Sequence, residues 1–217
     1  MARFAEAFRQ LAYHLHANES LEQSRRLGSS LCPTPRRTNL GHSHRARMLG
    51  QHDHQSTPRR HWGAKKKNGP QAIGRSRGGC TTKIHLVAAN ARCALMLKLS
   101  PGQAGDAPQG RELLEAGGPA PPDCLLIMDS AYEGDETLRL ARHLGYTPIV
   151  PPNPNRLKPW VLDRIAYRRR NEIERLFRRL KSYRRVFCRF DKLDILFLGF
   201  IVLALIVEAL RNSVSRP

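Results

Sequence analysis

Two carboxylates stand where chemistry could use them. Asp129 closes the run LLIMD, Leu125–Asp129, which is wholly apolar before its last residue, as a central buried strand would be. A carboxylate at such a strand end projects into the region where open α/β sheets hold their ligands, although a loop cap would look the same in sequence. Glu174 lies in YRRRNEIERLFRRLK. Between Trp160 and Lys192 ten Arg and two Lys face four acids, a local net charge of +8. On a helix, Arg170, Glu174, Phe177 and Lys181 fall at steps of four, three and four, so they share one face. Glu174 is then either a simple partner of nearby arginines or a metal-binding carboxylate ringed by cations that hold DNA phosphates. Charge alone does not choose.

These residues need elements to hold them, and the chain from Gly79 onward has the pattern of an α/β domain. Strands are predicted at Thr81–Ala88, Ala94–Leu99, Leu125–Asp129 and Thr147–Val150 from their alternating or continuous apolar character. Pro101–Gly102 marks a turn. Helices are predicted at Arg111–Ala116, closed by Gly117–Gly118, and at Asp135–Leu144, with Asp135 as cap and Gly145 as stop. A proline-rich loop runs from Pro151 to about Pro159. Two long helices follow: Tyr167–Tyr183, strongly basic, and Leu193–Arg211, strongly apolar. The apolar stretch Ile195–Val207 is thirteen residues, short of the ~20 that span a bilayer, so a buried helix is expected and no membrane partner.

The first part of the chain is different. Residues 1–62 hold no Lys, Val or Ile, yet carry ten Arg and seven of the nine His. Without β-branched aliphatics such a segment builds strands poorly, and its few Leu and Phe give little core. A low-order segment is expected, with a helical pattern only at Arg3–Leu21 and a loop from Leu27 to Arg60. Residues 63–79 form a basic, glycine-rich connector, either a solvated linker or a phosphate-contacting arm. Across all 217 residues the formal net charge is +19, which calls for a polyanionic partner, nucleic acid first. The five cysteines lack C-x-x-C spacing, so neither a disulfide scaffold nor a zinc site is indicated; the amino terminus lacks the apolar core of a secretion signal.

Spacing adds what charge does not. Tyr167, Arg170, Glu174 and Lys181 read Y-x2-R-x3-E-x6-K, which resembles the signature around the last catalytic carboxylate of bacterial insertion-sequence DDE transposases. GRSRGGCTTKIH (Gly74–His85), PGQAGD (Pro101–Asp106), IMDSAYEGD (Ile127–Asp135) and RNEIERLFRRLKSYRRVFCRFDKL (Arg170–Leu193) are similar, in the same order, to blocks of that group's insertion-sequence family five. The resemblance covers about Gly63 to Arg211. It implies a ribonuclease-H-like α/β catalytic domain, here over 80–212, in which three carboxylates hold two divalent ions for in-line displacement at a phosphate. Asp129 would be the second carboxylate and Glu174 the third, as catalytic and metal-binding residues. Mg²⁺ or Mn²⁺ suits such hard oxygen ligands. The resemblance also implies double-stranded DNA as partner, at insertion-sequence ends and target, and contacts to its backbone from Tyr167, Arg170 and Lys181. From their charge, Arg178, Arg179, Arg184, Arg185 and, more weakly, Arg75, Arg77, Lys65, Lys66 and Lys67 join them. A homodimer and a place at the bacterial nucleoid, in the cytoplasm, fit the same picture.

The departure is the first catalytic Asp. In the family it lies about a dozen residues before the G-A-K-K block, where this chain has Gly50 and Gln51, with Asp53 nearby in a run without strand character. The catalytic domain is therefore expected to be incomplete there, and this copy inactive. Read one nucleotide forward, the codons for Gly50 to Gly63 can spell D-S-T-T-I-R-A-H-Q-D-A-T-G-A, so a frame shift would explain both the loss and the odd composition. A non-catalytic DNA-binding remnant is the alternative, and a basic RNA-binding protein a third.

Overall fold

The computed structural model describes residues 46–55, 70–77 and 79–214, with backbone alone at 53–55 and 212–214. The helix expected at Arg3–Leu21 and the lysines 65 to 67 lie outside the described residues. Strands are β1 (Ala46–Gln55), β2 (Gly74–Ser76), β3 (Gly79–Asn90), β4 (Cys93–Pro101), β5 (Leu125–Met128) and β6 (Thr147–Ile149). Helices are α1 (Asp106–Gly117), α2 (Asp135–His143), α3 (Arg164–Tyr167), α4 (Asn171–Ser182), α5 (Arg184–Phe187) and α6 (Asp194–Val214). Short 3₁₀ turns at Ser130–Tyr132 and Arg168–Arg170 follow β5 and precede α4.

One six-stranded sheet organises them. β1 is central, antiparallel to β3 on one side and parallel to β5 on the other; β6 extends the parallel side. β2 and β4 pair with β3 along its far edge. On one face Leu49, Val87, Leu126 and Met128 meet Leu113 and Leu114 of α1 and Leu138 and Ala141 of α2, all buried. On the other, α4 buries Ile173, Leu176, Phe177 and Leu180, the positions its three-and-four spacing predicts.

Most elements stand where the sequence puts them, often with longer ends; the amino-terminal reading needs correction. The segment 46–55, expected to be loop, is the ten-residue strand β1, and the sheet has no gap at that place. Its sequence, ARMLGQHDHQ, has poor strand propensity, but Ala46, Met48 and Leu49 are buried and its backbone pairs on both edges. Tertiary pairing and burial decide strand formation more than intrinsic preference does. Three smaller corrections follow. Gly134, not Asp135, caps α2, and the Asp135 carboxylate turns instead to Arg156. The basic helix is interrupted by the 3₁₀ turn at Arg168–Arg170. The apolar helix α6 buries Phe197, Ile201, Ala204 and Leu205 but leaves Ile195, Leu196, Leu203 and Leu210 exposed.

Two devices hold the loops. Arg156 pairs with Glu133 at 2.8 Å and stacks over Trp160, whose indole N–H donates to the Val150 carbonyl at 2.9 Å. This ties the proline-rich loop to the end of β6. Arg189, fully buried, donates to the carbonyls of Asp191, Ala72 and Lys192, to Thr82 Oγ1 and to Asp194 Oδ1. It lies over the Phe197 ring, so a buried charge is satisfied on every side.

Candidate active site

Parallel pairing of β1 with β5 sets the site. Leu49 is the partner of Met128, so Gly50, within β1, and Asp129, just past β5, lie level with each other. Asp129 lies just past β5 and caps the 3₁₀ turn, its Oδ1 accepting from the Ser130 amide at 2.8 Å. The cap and the sheet-edge carboxylate are therefore the same residue. The other carboxylate oxygen, Oδ2, accepts from Arg170 Nη2 at 3.0 Å, and the same Nη2 donates to Glu174 Oε1 at 3.0 Å.

Asp129 and Glu174, 45 residues apart in sequence, thus meet through one guanidinium nitrogen. Their oxygens lie no farther apart than twice that shared distance, inside the roughly 8 Å that two ions ~4 Å apart can span. The side chains of Arg170, Asp129 and Glu174 are 30%, 36% and 42% exposed, so water reaches all three. Tyr167 belongs to the group: burial first, then the negative charges of Asp129 and Glu174, push its phenol above the ordinary value, and Arg170 opposes them.

The third corner is empty of charge. A Cβ on Gly50 would point at the α4 face, 3.0 Å from Ile173 Cδ1 and 3.4 Å from Phe177 Cε2. Asp53 is also in β1, paired with Lys83, but it lies three residues, about 10 Å of strand, beyond the level of Asp129.

Next to Gly50 the strand turns a polar side chain to the opposite face. Gln51 Nε2 donates to Asp106 Oδ2 at 2.5 Å, Lys83 Nζ pairs with Asp106 Oδ1 at 2.8 Å, and Tyr132 donates to Gln51 Oε1 at 3.3 Å. Sequence reasoning assigned no role to this network, although Lys83 and Asp106 both lie in family-like blocks. Burial, and then the charges of Asp106 and Asp129, hold the Tyr132 phenol protonated. Further along β3, His85 is wholly buried, its Nε2 2.7 Å from Ser100 Oγ and its Nδ1 without a hydrogen-bond partner.

The cations divide. Lys181 is two turns beyond Glu174 on α4 and half-buried, while Arg178, Arg184 and Arg185 are exposed. Arg185 also meets Asp191 at 3.4 Å and lies over the Phe200 ring. Arg179 turns inward, to the Ala91 carbonyl and, at 3.7 Å, to buried Glu208. Arg75 and Arg77 are exposed on and just after β2. That strand is three strands from β5, or about 14 Å, so they are not brought to the carboxylates.

A mixed sheet in this order, with helices packed on both faces, is a ribonuclease-H-like arrangement. Comparison with known proteins gives the family. Residues 46–207 match the family described as Transposase DDE domain, and the chain belongs to it. The match takes in β1, upstream of the Gly63 at which the sequence resemblance begins. A Brucella ovis (strain ATCC 25840 / 63/290 / NCTC 10512) protein whose name assigns it as transposase for insertion sequence element IS6501 is 35% identical over 132 residues, 60% of this chain and 99% of that protein. Among solved structures, a Mos1 transposase paired-end complex with left transposon end aligns with 68% of this chain and 57% of its own, at 12% identity and a TM-score of 0.33. The fold assignment rests on the strand order and the family match.

The family implies a divalent metal. The described residues do not fit a two-metal centre as they stand. They offer two carboxylates with a guanidinium between them, and among the described residues no three His, Cys, Asp or Glu side chains gather around one point. No helix of the described residues is long and apolar enough to cross a membrane.

Proposed function

We propose that this chain acts on DNA as an insertion-sequence transposase of the family-five type, and that this copy binds DNA without cleaving it. Supporting the first half is the family match, with a charged face built on α4 and α5. The observation that carries the second half is Gly50. The residue level with Asp129 on the neighbouring strand, facing the helix that carries Glu174, has no side chain.

Asp129 and Glu174 are the remaining catalytic carboxylates, and Mg²⁺ or Mn²⁺ is the ion their oxygens would suit. Tyr167 and Lys181 hold the DNA backbone beside them, while Arg170 is held by the two carboxylates. Arg178, Arg184 and Arg185 extend the contact along one face, and Arg75, Arg77 and the rest of the 63–79 connector act as a separate arm. Arg179 is left out of the contact set, since Glu208 holds it. Residues 1–45 contribute nothing to catalysis on this reading. The protein works at the nucleoid on insertion-sequence ends, where a homodimer would pair two ends.

Duplex binding at graded salt tests this. With six phosphate contacts the slope of log K on log salt is about −5, because each neutralised phosphate releases condensed counterions. Changing Arg178, Arg184 and Arg185 together to Ala flattens it by roughly 2–3. An unchanged slope would remove those arginines from the interface. Equal affinity for structured RNA would instead favour a general RNA-binding role.

A further inference from the structure

The carboxylate pair already has a cation. Arg170 Nη2 sits 3.0 Å from Asp129 Oδ2 and 3.0 Å from Glu174 Oε1, so a single guanidinium nitrogen occupies the point at which the two side chains converge. Arg170, in the 3₁₀ turn before α4, reaches Glu174 one helical turn on and Asp129 at the end of β5, which makes the bridge a tertiary contact as well as a local one. Neighbouring Arg169 is spent elsewhere, on Glu172 at 3.3 Å.

We propose that the Arg170 guanidinium is the resident cation of this site and excludes a divalent ion from Asp129 and Glu174. The inference rests on the reading of these two carboxylates as the site. A Mg²⁺ or Mn²⁺ ion needs carboxylate oxygens at about 2.1 Å in octahedral order with its retained waters. A guanidinium bonded to both of those oxygens blocks that geometry, and its positive charge repels the ion. Nothing balances the trade, because the third corner is Gly50 and supplies no further negative charge. The side chains are a third or more open to water, so the bridge can exchange and its competition with metal is measurable at equilibrium.

Mn²⁺ binding to the full chain, followed without DNA by the loss of the free-ion electron paramagnetic resonance signal, decides this. Arg170→Gln should bind Mn²⁺ at least about tenfold more tightly than the unaltered protein, since a unit charge a few ångströms away is removed. Arg169→Gln changes net charge equally and should leave the affinity within about twofold, because the removed charge belongs to Glu172. Unchanged or weaker binding by Arg170→Gln overturns the proposal, and so does equal tightening by both variants, which would mean a general charge effect. Thermal melting checks the fold. If Arg170→Gln does not fold, Arg170→Met replaces it: the aliphatic stem stays and the charge goes, so affinity should rise at least about tenfold, and no rise overturns the idea. Because DNA is absent, a failure to bind DNA leaves this result standing, and the converse also holds.

Discussion

At the scale of single residues, Gly50 decides more than any other position described. Its missing Cβ lets β1 approach α4, with Ile173 Cδ1 only 3.0 Å from where that atom would be. Gly50→Asp should therefore cost about 1–3 kcal/mol of stability in urea unfolding, as overpacking does. Ile173→Val, which deletes that Cδ1, should return part of the loss. Additive effects of the two changes would show that they do not share this contact. His85 supplies a pH prediction. Burial lowers its pKa from 6.5 to about 4, with Lys83 and Lys98 adding to the fall and Asp106 opposing it. A folded-state pKa below the unfolded one means the unfolded chain takes the proton first. This contribution to stability is full above pH 6.5 and drains away as pH falls toward 4, by roughly 3 kcal/mol. His85→Gln should flatten the stability-versus-pH curve in that window; an unaltered curve would assign the acid sensitivity to other groups.

At the scale of elements, one side chain joins the segment before β2, the start of β3 and the entry to α6. It is Arg189, with every bond directed to buried or backbone acceptors. Arg189→Met keeps bulk but leaves Asp194, Thr82 Oγ1 and three carbonyls without that donor. The expected cost is about 3–5 kcal/mol, read as a shift of the thermal midpoint. Asp194 retains a bond from the Ala72 amide at 2.7 Å, so a change below about 1 kcal/mol would show that this bond suffices. Much of this scale was legible in the sequence. Periodicity marks β3, β4, β5, α2 and α4 because each carries its own apolar pattern. β1 was not legible, because a strand paired on both edges can be specified by its neighbours. Its polar half, Gln51 to Gln55, has no alternation to read.

At the scale of the whole molecule, the order of blocks along the chain was enough to suggest the fold and to bring Asp129 and Glu174 together in expectation. The parallel pairing of β1 and β5 was needed to set Gly50 level with Asp129, and side-chain placement was needed to reveal Arg170 between the carboxylates. Arg179 is turned toward Glu208 and Arg75 lies three strands from β5, placements that charge composition does not reveal because it counts cations without saying where they are directed. The central claim is a transposase-family domain that holds DNA but lacks a complete carboxylate set. The most direct measurement is metal-dependent nicking of an end-labelled duplex, at protein concentrations where that duplex is fully bound, with Mg²⁺ and then Mn²⁺. No nicked product above the level given by Glu174→Gln is expected. Efficient nicking that is abolished by Glu174→Gln and by Asp53→Asn would contradict it and make Asp53 the first catalytic carboxylate.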